Sequence, residues 1–375
     1  MAHQYKTMVV KIGSSTLVKA DGKPDMAFLG ALAAQAAELE QMGWRLVVVS
    51  SGAIACGLRM LGLGPRRPAD MPTVQAAASV GQLSFARAYD EAFAAHDLLT
   101  SLVLLTRQDT ARRASYLHAQ DTLTRLVDLS VVPVVNENDT VTVDEIKFGD
   151  NDTLAALVSC LVSADLCVIL SDIDGLYTAN PATDPAARFI PRVEKIDAQI
   201  IGGAGDSSSS VGTGGMITKV RSARILMTAG IGCVICSGSE RCPLVRLAAG
   251  EQVGTLFVPP AGRLDIAPRK LWIALGDTVH GSVTVDEGAA AAIEQRGSSL
   301  LPVGIRQVEG TFDAGAILDV KDEGGLTIAR GIAGASSDVM ELAAGRRTET
   351  IEANALIREL AHTPAIHRDD MVVFA

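Results

Sequence analysis

Val131-Val132-Pro133-Val134-Val135-Asn136-Glu137-Asn138-Asp139 is the stretch that decides the fold, read together with Gly149-Asp150-Asn151-Asp152 a few residues on. The apolar run reads as a buried strand, and polar residues begin where that strand should end. Ligands of open α/β sheets bind outside the carboxyl ends of the strands. Four carboxylates and three amides fall in these two segments, a costly crowding unless something pairs with them. A ligand bearing a positive charge, such as an α-ammonium, would do so. An ordinary acidic turn, with Asp152 or Thr153 capping the next helix, would use the same residue types, so other features have to decide.

Working outward, strands and helices alternate. Strands are predicted at Thr7 to Ile12, Arg45 to Ser50, Leu98 to Leu105, Val131 to Val135, Leu166 to Leu170 and Gly232 to Ile235. Between them helices are predicted from an Asp25 cap to Met42, then Val74 to Ala95, Ser115 to Leu129, Thr153 to Ser163 and Met216 to Ala229. Continuous Val/Ile/Leu strands separated by helices predict an α/β fold, a mostly parallel central sheet covered by helices on both faces. Gly202 to Gly212, with its serine run, reads as a loop.

The pattern changes near Pro259-Pro260. Short β-like segments follow at Ser282 to Val285, Ala316 to Val320, Leu326 to Arg330 and Met371 to Phe374. They predict a small C-terminal β-barrel-like domain, and with it a division into 1–259, a 260–275 linker and 276–375. At 375 residues two domains are the default.

Composition excludes several classes. Hydrophobic residues make up 48% and charged ones 20%, as in a well-buried globular protein. Aromatics at 4% leave few platforms for stacking bases. No basic-then-apolar leader and no apolar run of membrane length occurs, which predicts a cytoplasmic protein with no membrane contact. Cys233-Val-Ile-Cys236 has a metal-type spacing but lies in a strand-like run without a second pair, so buried thiols are the better reading. The last hundred residues hold 16 acidic against 8 basic side chains, a balance that makes nucleic acid an unlikely partner.

Other polar residues collect at strand ends and helix starts. Lys11 closes the first strand ahead of Gly13-Ser14-Ser15, where a lysine and backbone N–H groups can reach phosphate. Ser50-Ser51-Gly52 and Ser171-Asp172 end two further strands. Gly212-Thr213-Gly214-Gly215-Met216 opens the helix carrying Lys219, a glycine-rich entry suited to anions. Lys219 itself reads as a lysine on a helix surface, whose loss should leave the fold intact. No Walker A sequence and no GxGxxG after the first strand occurs.

Together, Val9-Val10-Lys11-Ile-Gly-Ser-Ser, Val49-Ser-Ser-Gly-Ala-Ile, Asn136-Glu-Asn-Asp, Gly149-Asp-Asn-Asp, Ser171-Asp with Gly175-Leu-Tyr, and Gly212-Thr-Gly-Gly-Met resemble the amino acid kinase family, in the order found in its glutamate 5-kinase group. Ser282-Val-Thr-Val-Asp-Glu-Gly-Ala and Gly297-Ser-Ser-Leu-Leu-Pro resemble that group's C-terminal PUA domain, and His367-Arg-Asp-Asp-Met its end. Ser15 and Ser171 stand where threonine is frequent. The resemblance implies the amino acid kinase fold, and ATP-dependent phosphorylation of the γ-carboxylate of L-glutamate to L-glutamyl 5-phosphate, the first step of proline biosynthesis. It further implies inhibition by proline, a homo-oligomer, and delivery of the labile product to a glutamyl phosphate reductase.

On this reading Lys11, Lys219 and Asp152 are catalytic, with Asp152 holding both ammonium groups. Glutamate lies against Ser51 and Gly52, and Asp139, Asn151, Glu137 and Asp150 take its α-ammonium. ATP meets Lys11, Gly13, Ser171, Asp172 and the run Thr213, Gly214, Gly215, Met216, Ile217, Thr218 and Lys219, with Gly13 and Gly214 donating backbone N–H groups. Mg²⁺ accompanies the nucleotide; no protein ligand for it is assigned. The rivals are another member of the family such as acetylglutamate kinase, whose N-acetylated substrate would leave the acidic cluster unpaired, and a PUA-containing RNA-binding protein.

Overall fold

The computed structural model describes residues 5–64, 66–106, 113–142, 151–205, 215–260, 270, 273–274 and 279–374. The chain divides into two compact units, Met1–Arg263 and Leu264–Ala375. Most of the expected 260–275 linker lies outside the described residues.

The first unit is built on an eight-stranded sheet. Its strands are β1 (Lys6–Ile12), β2 (Trp44–Val49), β3 (Thr100–Leu105), β4 (Val132–Glu137), β5 (Leu166–Ser171), the short β8 (Arg192–Val193), β9 (Gly232–Ser237) and β10 (Thr255–Phe257), in the order β3-β4-β2-β1-β5-β9-β10-β8. The six from β3 to β9 in that order run parallel, while β10 is antiparallel to β9. A two-residue pair, β6 (Leu176–Tyr177) and β7 (Phe189–Ile190), stands apart from this sheet. From β1 the chain passes to one side through β2, and later to the other through β5, so the topological switch point lies between β1 and β5. Crevices of this kind receive ligands.

Helices cover both faces. α1 (Ser14–Leu17) follows β1 directly; α2 (Met26–Gln41) starts at Asp25, whose carboxylate accepts from the Ala27 and Phe28 N–H groups. α3 (Ala53–Met60) and α4 (Met71–Ala94) follow, with Asp70 capping α4 through the Thr73 N–H. Leu29, Leu32 and Leu39 of α2 and Phe85, Tyr89 and Phe93 of α4 pack in one core with Met8, Val10, Val48, Val134 and Val168. Side chains alternate along a strand, so Lys11, next to Val10, faces the opposite side. There lie α5 (Arg113–Asp128), α6 (Asn151–Leu161) and α8 (Met216–Thr228), while α7 (Ala198–Gly205) precedes α8. The expected loop from Gly202 is therefore corrected: its first four residues end a helix. The short α9 (Pro243–Ala248) closes the unit's helices among the described residues. The cysteines are all free; Cys233 and Cys236 are buried in β9, while Cys160 is half-buried and Cys242 exposed.

The α3–α4 crossing brings backbones unusually close. A Cβ on Gly57 would stand 1.7 Å from Ala77 O, and one on Gly81 1.8 Å from Ala53 O. Only glycine permits that approach, which seats α4 under the ends of β2 and β4.

The second unit is a five-stranded mixed sheet, β12-β11-β13-β14-β15, made of β11 (Gly281–Val285), β12 (Ile305–Glu309), β13 (Ile317–Lys321), β14 (Thr327–Ile332) and β15 (Met371–Val373). Four of these were legible; β12 was not. Val283, Val285, Leu318, Val320 and Ile328 form its core with Ile293 of α10 (Glu287–Arg296) and Met340 of α11 (Ser337–Ala343).

Candidate active site

Lys11 sits one residue from the end of β1, the strand flanked by β2 and β5 at the switch point. α6 begins at Asn151, so Asp152 falls in its first turn; α8 begins at Met216, so Lys219 lies one turn inside. The three side chains meet. Lys11 Nζ is 2.6 Å from Asp152 Oδ1, and Lys219 Nζ donates to Asp152 Oδ2 at 3.1 Å. Asp152 has no exposed surface, and the two lysines are 7% and 6% exposed. Its carboxylate is turned to the two lysines.

Burial alone would push the Asp152 carboxyl up, but the Lys11 and Lys219 ammonium groups outweigh it and hold the group below the usual carboxylate range. A third contact comes from Thr218, whose hydroxyl lies 3.0 Å from Asp152 Oδ2 and 2.8 Å from Gly215 O. Expected among the nucleotide contacts, Thr218 turns its hydroxyl to this carboxylate. The surface-lysine reading of Lys219 is also corrected: it is a buried ion-pair partner.

Beside this triad runs a chain of amides. Asn151 Nδ2 donates to Ser50 O at 2.6 Å and Ser51 Oγ at 2.8 Å, with Asn136 Oδ1 at 3.2 Å. Asn136, buried at the end of β4, donates its own Nδ2 to Gln82 Oε1 of α4 at 2.8 Å. Below, the Tyr89 hydroxyl donates to Ser50 Oγ at 3.1 Å, and burial pushes that phenol well above its ordinary pKa. Gln82 and Tyr89 are two helical turns apart on one face of α4. Gly52 opens α3 with φ 89°, where a Cβ would stand 2.6 Å from Val18 Cγ2. Ser51 and Asn151 are thus brought together as expected. Asn136, Gln82 and Tyr89 had been given no role.

Glu137 and Asp139 lie a short step along, where they and Gln82 line a cleft of about 230 Å³ between α4 and the β3–β4 edge. On the other side of the sheet, Ser171 Oγ donates to Asp172 Oδ1 at 3.0 Å at the end of β5. Gly13 was expected to donate its N–H to phosphate, but that N–H points at Leu170 O at 3.4 Å and is engaged within the sheet. Gly215 caps α8 with extended backbone, followed by Met216 and Ile217. Asp150, Thr213 and Gly214 lie outside the described residues.

Among the described residues no group of three or more His, Cys, Asp or Glu side chains could hold a metal ion, and the Asp152 carboxylate is taken by ammonium groups. A divalent ion fits here as the counter-ion of a nucleotide, which needs few protein ligands. No helix among the described residues is long and apolar enough to cross a membrane.

Two buried lysines sharing one carboxylate concentrate positive charge at the carboxyl edge of a parallel sheet, the edge at which such sheets receive ligands. Residues 6–237 match the amino acid kinase family and residues 281–354 the PUA domain; the chain belongs to the amino acid kinase family. Over nearly its whole length it is similar to glutamate 5-kinases. It is 47% identical over 370 residues to that of Citrifermentans bemidjiense, covering 99% of this chain and 98% of that one. It is 47% identical over 373 residues to that of Caulobacter vibrioides, covering 98% and 96%. With that of Myxococcus xanthus the identity is 46% over 368 residues, covering 98% and 96%.

Proposed function

We propose that this chain transfers the γ-phosphoryl group of ATP to the γ-carboxylate of L-glutamate, giving ADP and L-glutamyl 5-phosphate for proline biosynthesis. The observation that carries the reading is the buried Lys11–Asp152–Lys219 cluster, set beside the Asn151–Ser51 amide site. Full-length similarity to glutamate 5-kinases supports the acceptor.

A γ-carboxylate has a solution pKa near ~4.3 and is already ionised at neutral pH. The acceptor therefore needs no general base. What the reaction lacks is positive charge and alignment, because two anions must meet and charge spreads over the transferring oxygens. Lys11 and Lys219 supply the charge from two sides. Asp152 keeps both ammonium groups at fixed positions before substrate arrives, so little reorganisation remains for the transition state. Thr218 restrains the same carboxylate.

Glutamate rests on Ser51 and Gly52, its α-ammonium taken by Asn151 Oδ1 and Asp139, with Glu137 and Asp150 adding negative charge. The Asn151 amide is turned the right way for this: its Nδ2 is engaged with Ser50 and Ser51, so Oδ1 is the end left for a donor. Ser171, Asp172 and the segment 213–219 take the nucleotide, whose phosphates would hold Mg²⁺, an ion that would neutralise part of their charge. Proline, which shares the α-carboxylate and an ammonium, inhibits at the same place. A cytoplasmic homo-oligomer that passes its labile product to a glutamyl phosphate reductase completes the reading. The deciding assay measures ADP release with L-glutamate, N-acetylglutamate, aspartate and UMP as acceptors. Turnover with L-glutamate alone is the expected result, and preference for any other acceptor overturns it.

A further inference from the structure

The reading above gives the amino acid's ammonium several partners and its α-carboxylate no side-chain donor. We infer that Gln82 binds that carboxylate and so sets the requirement for a free α-acid; this rests on the glutamate site proposed above.

The direction of the amide chain carries the argument. Amide oxygen and nitrogen are assigned from hydrogen-bond networks, and here the network is anchored by a group with only one polarity. Ser50 O is a backbone carbonyl and can only accept, so the atom 2.6 Å away must be Asn151 Nδ2. Asn136 then offers Oδ1 to Asn151, and its Nδ2 is left to donate to Gln82. That fixes Oε1 of Gln82 on the Asn136 side, so Nε2 is the end left over, and it makes no hydrogen bond among the described residues. Gln82 also lines the cleft that Glu137 and Asp139 border, against an apolar wall that includes Leu83, Leu102 and Leu104. In this cleft an ammonium meets carboxylates, and a carboxylate meets the Gln82 amide N–H. Each end of an α-amino acid finds the opposite polarity. Methylene groups suit the apolar wall.

Gln82→Glu separates binding from scaffolding. A carboxylate of the same shape still accepts from Asn136 Nδ2, so the amide chain is kept, but its second oxygen replaces the donor and repels an anion. The probe is L-isoglutamine, which keeps the γ-carboxylate and the α-ammonium but carries a neutral α-amide. Gln82→Glu should raise the KM for L-glutamate at least tenfold, the range of a lost charge-assisted hydrogen bond. The KM for ATP and the melting temperature should stay put, and the preference for L-glutamate over L-isoglutamine should fall at least tenfold. A preference unchanged within twofold overturns the inference, as does an equal loss for both acceptors. Asn151→Ala runs alongside: if it raises the KM for L-glutamate while Gln82→Glu leaves the preference intact, the glutamate site stands and only the role of Gln82 fails. If Asn151→Ala moves nothing, the site itself is misplaced and the inference falls with it.

Discussion

Asp152→Asn is the perturbation that reports most directly on the site. The substitution keeps the shape and removes one buried charge that two lysines share at 2.6 and 3.1 Å. Breaking a buried ion pair by deleting one partner costs about 3–5 kcal/mol, because the other charge stays behind uncompensated. Here two charges stay behind. If the ammonium groups are about 5 Å apart, their mutual repulsion at an effective dielectric of 20 is about 3 kcal/mol, so the two routes agree on a loss of several kcal/mol. Total stability of a domain is only about 5–15 kcal/mol. The kinase unit should unfold at a urea concentration lower by about 1 M, taking a slope near 3 kcal/mol per M. Inorganic sulfate should protect the variant more than the native protein, because it supplies the missing anion. Turnover should fall by about 10²–10³, as when a preorganised charge-stabilising donor is lost.

The pH dependence has a definite sign. The folded-state pKa of Asp152 is lowered, so its contribution is fully present above the unfolded value near ~3.9 and drains away as pH falls through the folded value. The native protein should lose stability below about pH 4, and the difference between it and Asp152→Asn should shrink over the same window. A variant with an unchanged urea midpoint and at least half the native kcat would refute the reasoning, since neither stability nor catalysis would then depend on the shared carboxylate.

Lys219→Met should lower kcat by about 10²–10³ and, because Lys219 is buried against Asp152, should also lower the melting temperature; steady-state kinetics with calorimetry test both, and kcat above half the native value removes Lys219 from the mechanism. Asp139→Ala should raise the KM for glutamate about tenfold or more while leaving that for ATP unchanged; equal effects on both substrates would move the glutamate pocket elsewhere. The same substitution should weaken proline inhibition in parallel, and inhibition that saturating glutamate fails to relieve points to a separate regulatory site. Ending the chain after Arg263, the last residue of the first unit, should leave a folded, active kinase; a soluble but inert product contradicts that division.

The fold was legible where the physics is local. Val132 to Val135 is buried and reads as an interior strand, and Asp25 announces α2 through a cap that the structure contains. Short elements carry no period long enough to read. β6, β7 and β8 have two residues each. The Thr255 hydroxyl ties β6 to β7, accepting from Leu176 N and donating to Ile190 O, while β8 pairs with Leu256 and Phe257 of β10. α3 escaped for another reason: its apolar positions are diluted by Gly57, a residue present to let α4 approach rather than to favour a helix.

The site divides along the same line. Lys11, Asp152 and Lys219 each sit at a strand end or a helix start, positions that alternation of strands and helices already assigns to one edge, while the grip of Asp152 on both lysines was implied only by the family resemblance. Asn136 and Gln82 are 54 residues apart, and an uncharged amide in the middle of α4 has no positional signature. What brings Gln82 to Asn136 is the close α3–α4 crossing at Gly57 and Gly81, and a glycine in a helix reads in sequence only as a weak spot. The charged residues of the site were therefore visible because secondary structure places them at one edge. The Asn136–Gln82 amide pair was hidden because tertiary packing places it, and the glycine beside Gln82 is the nearest trace that packing left in the sequence.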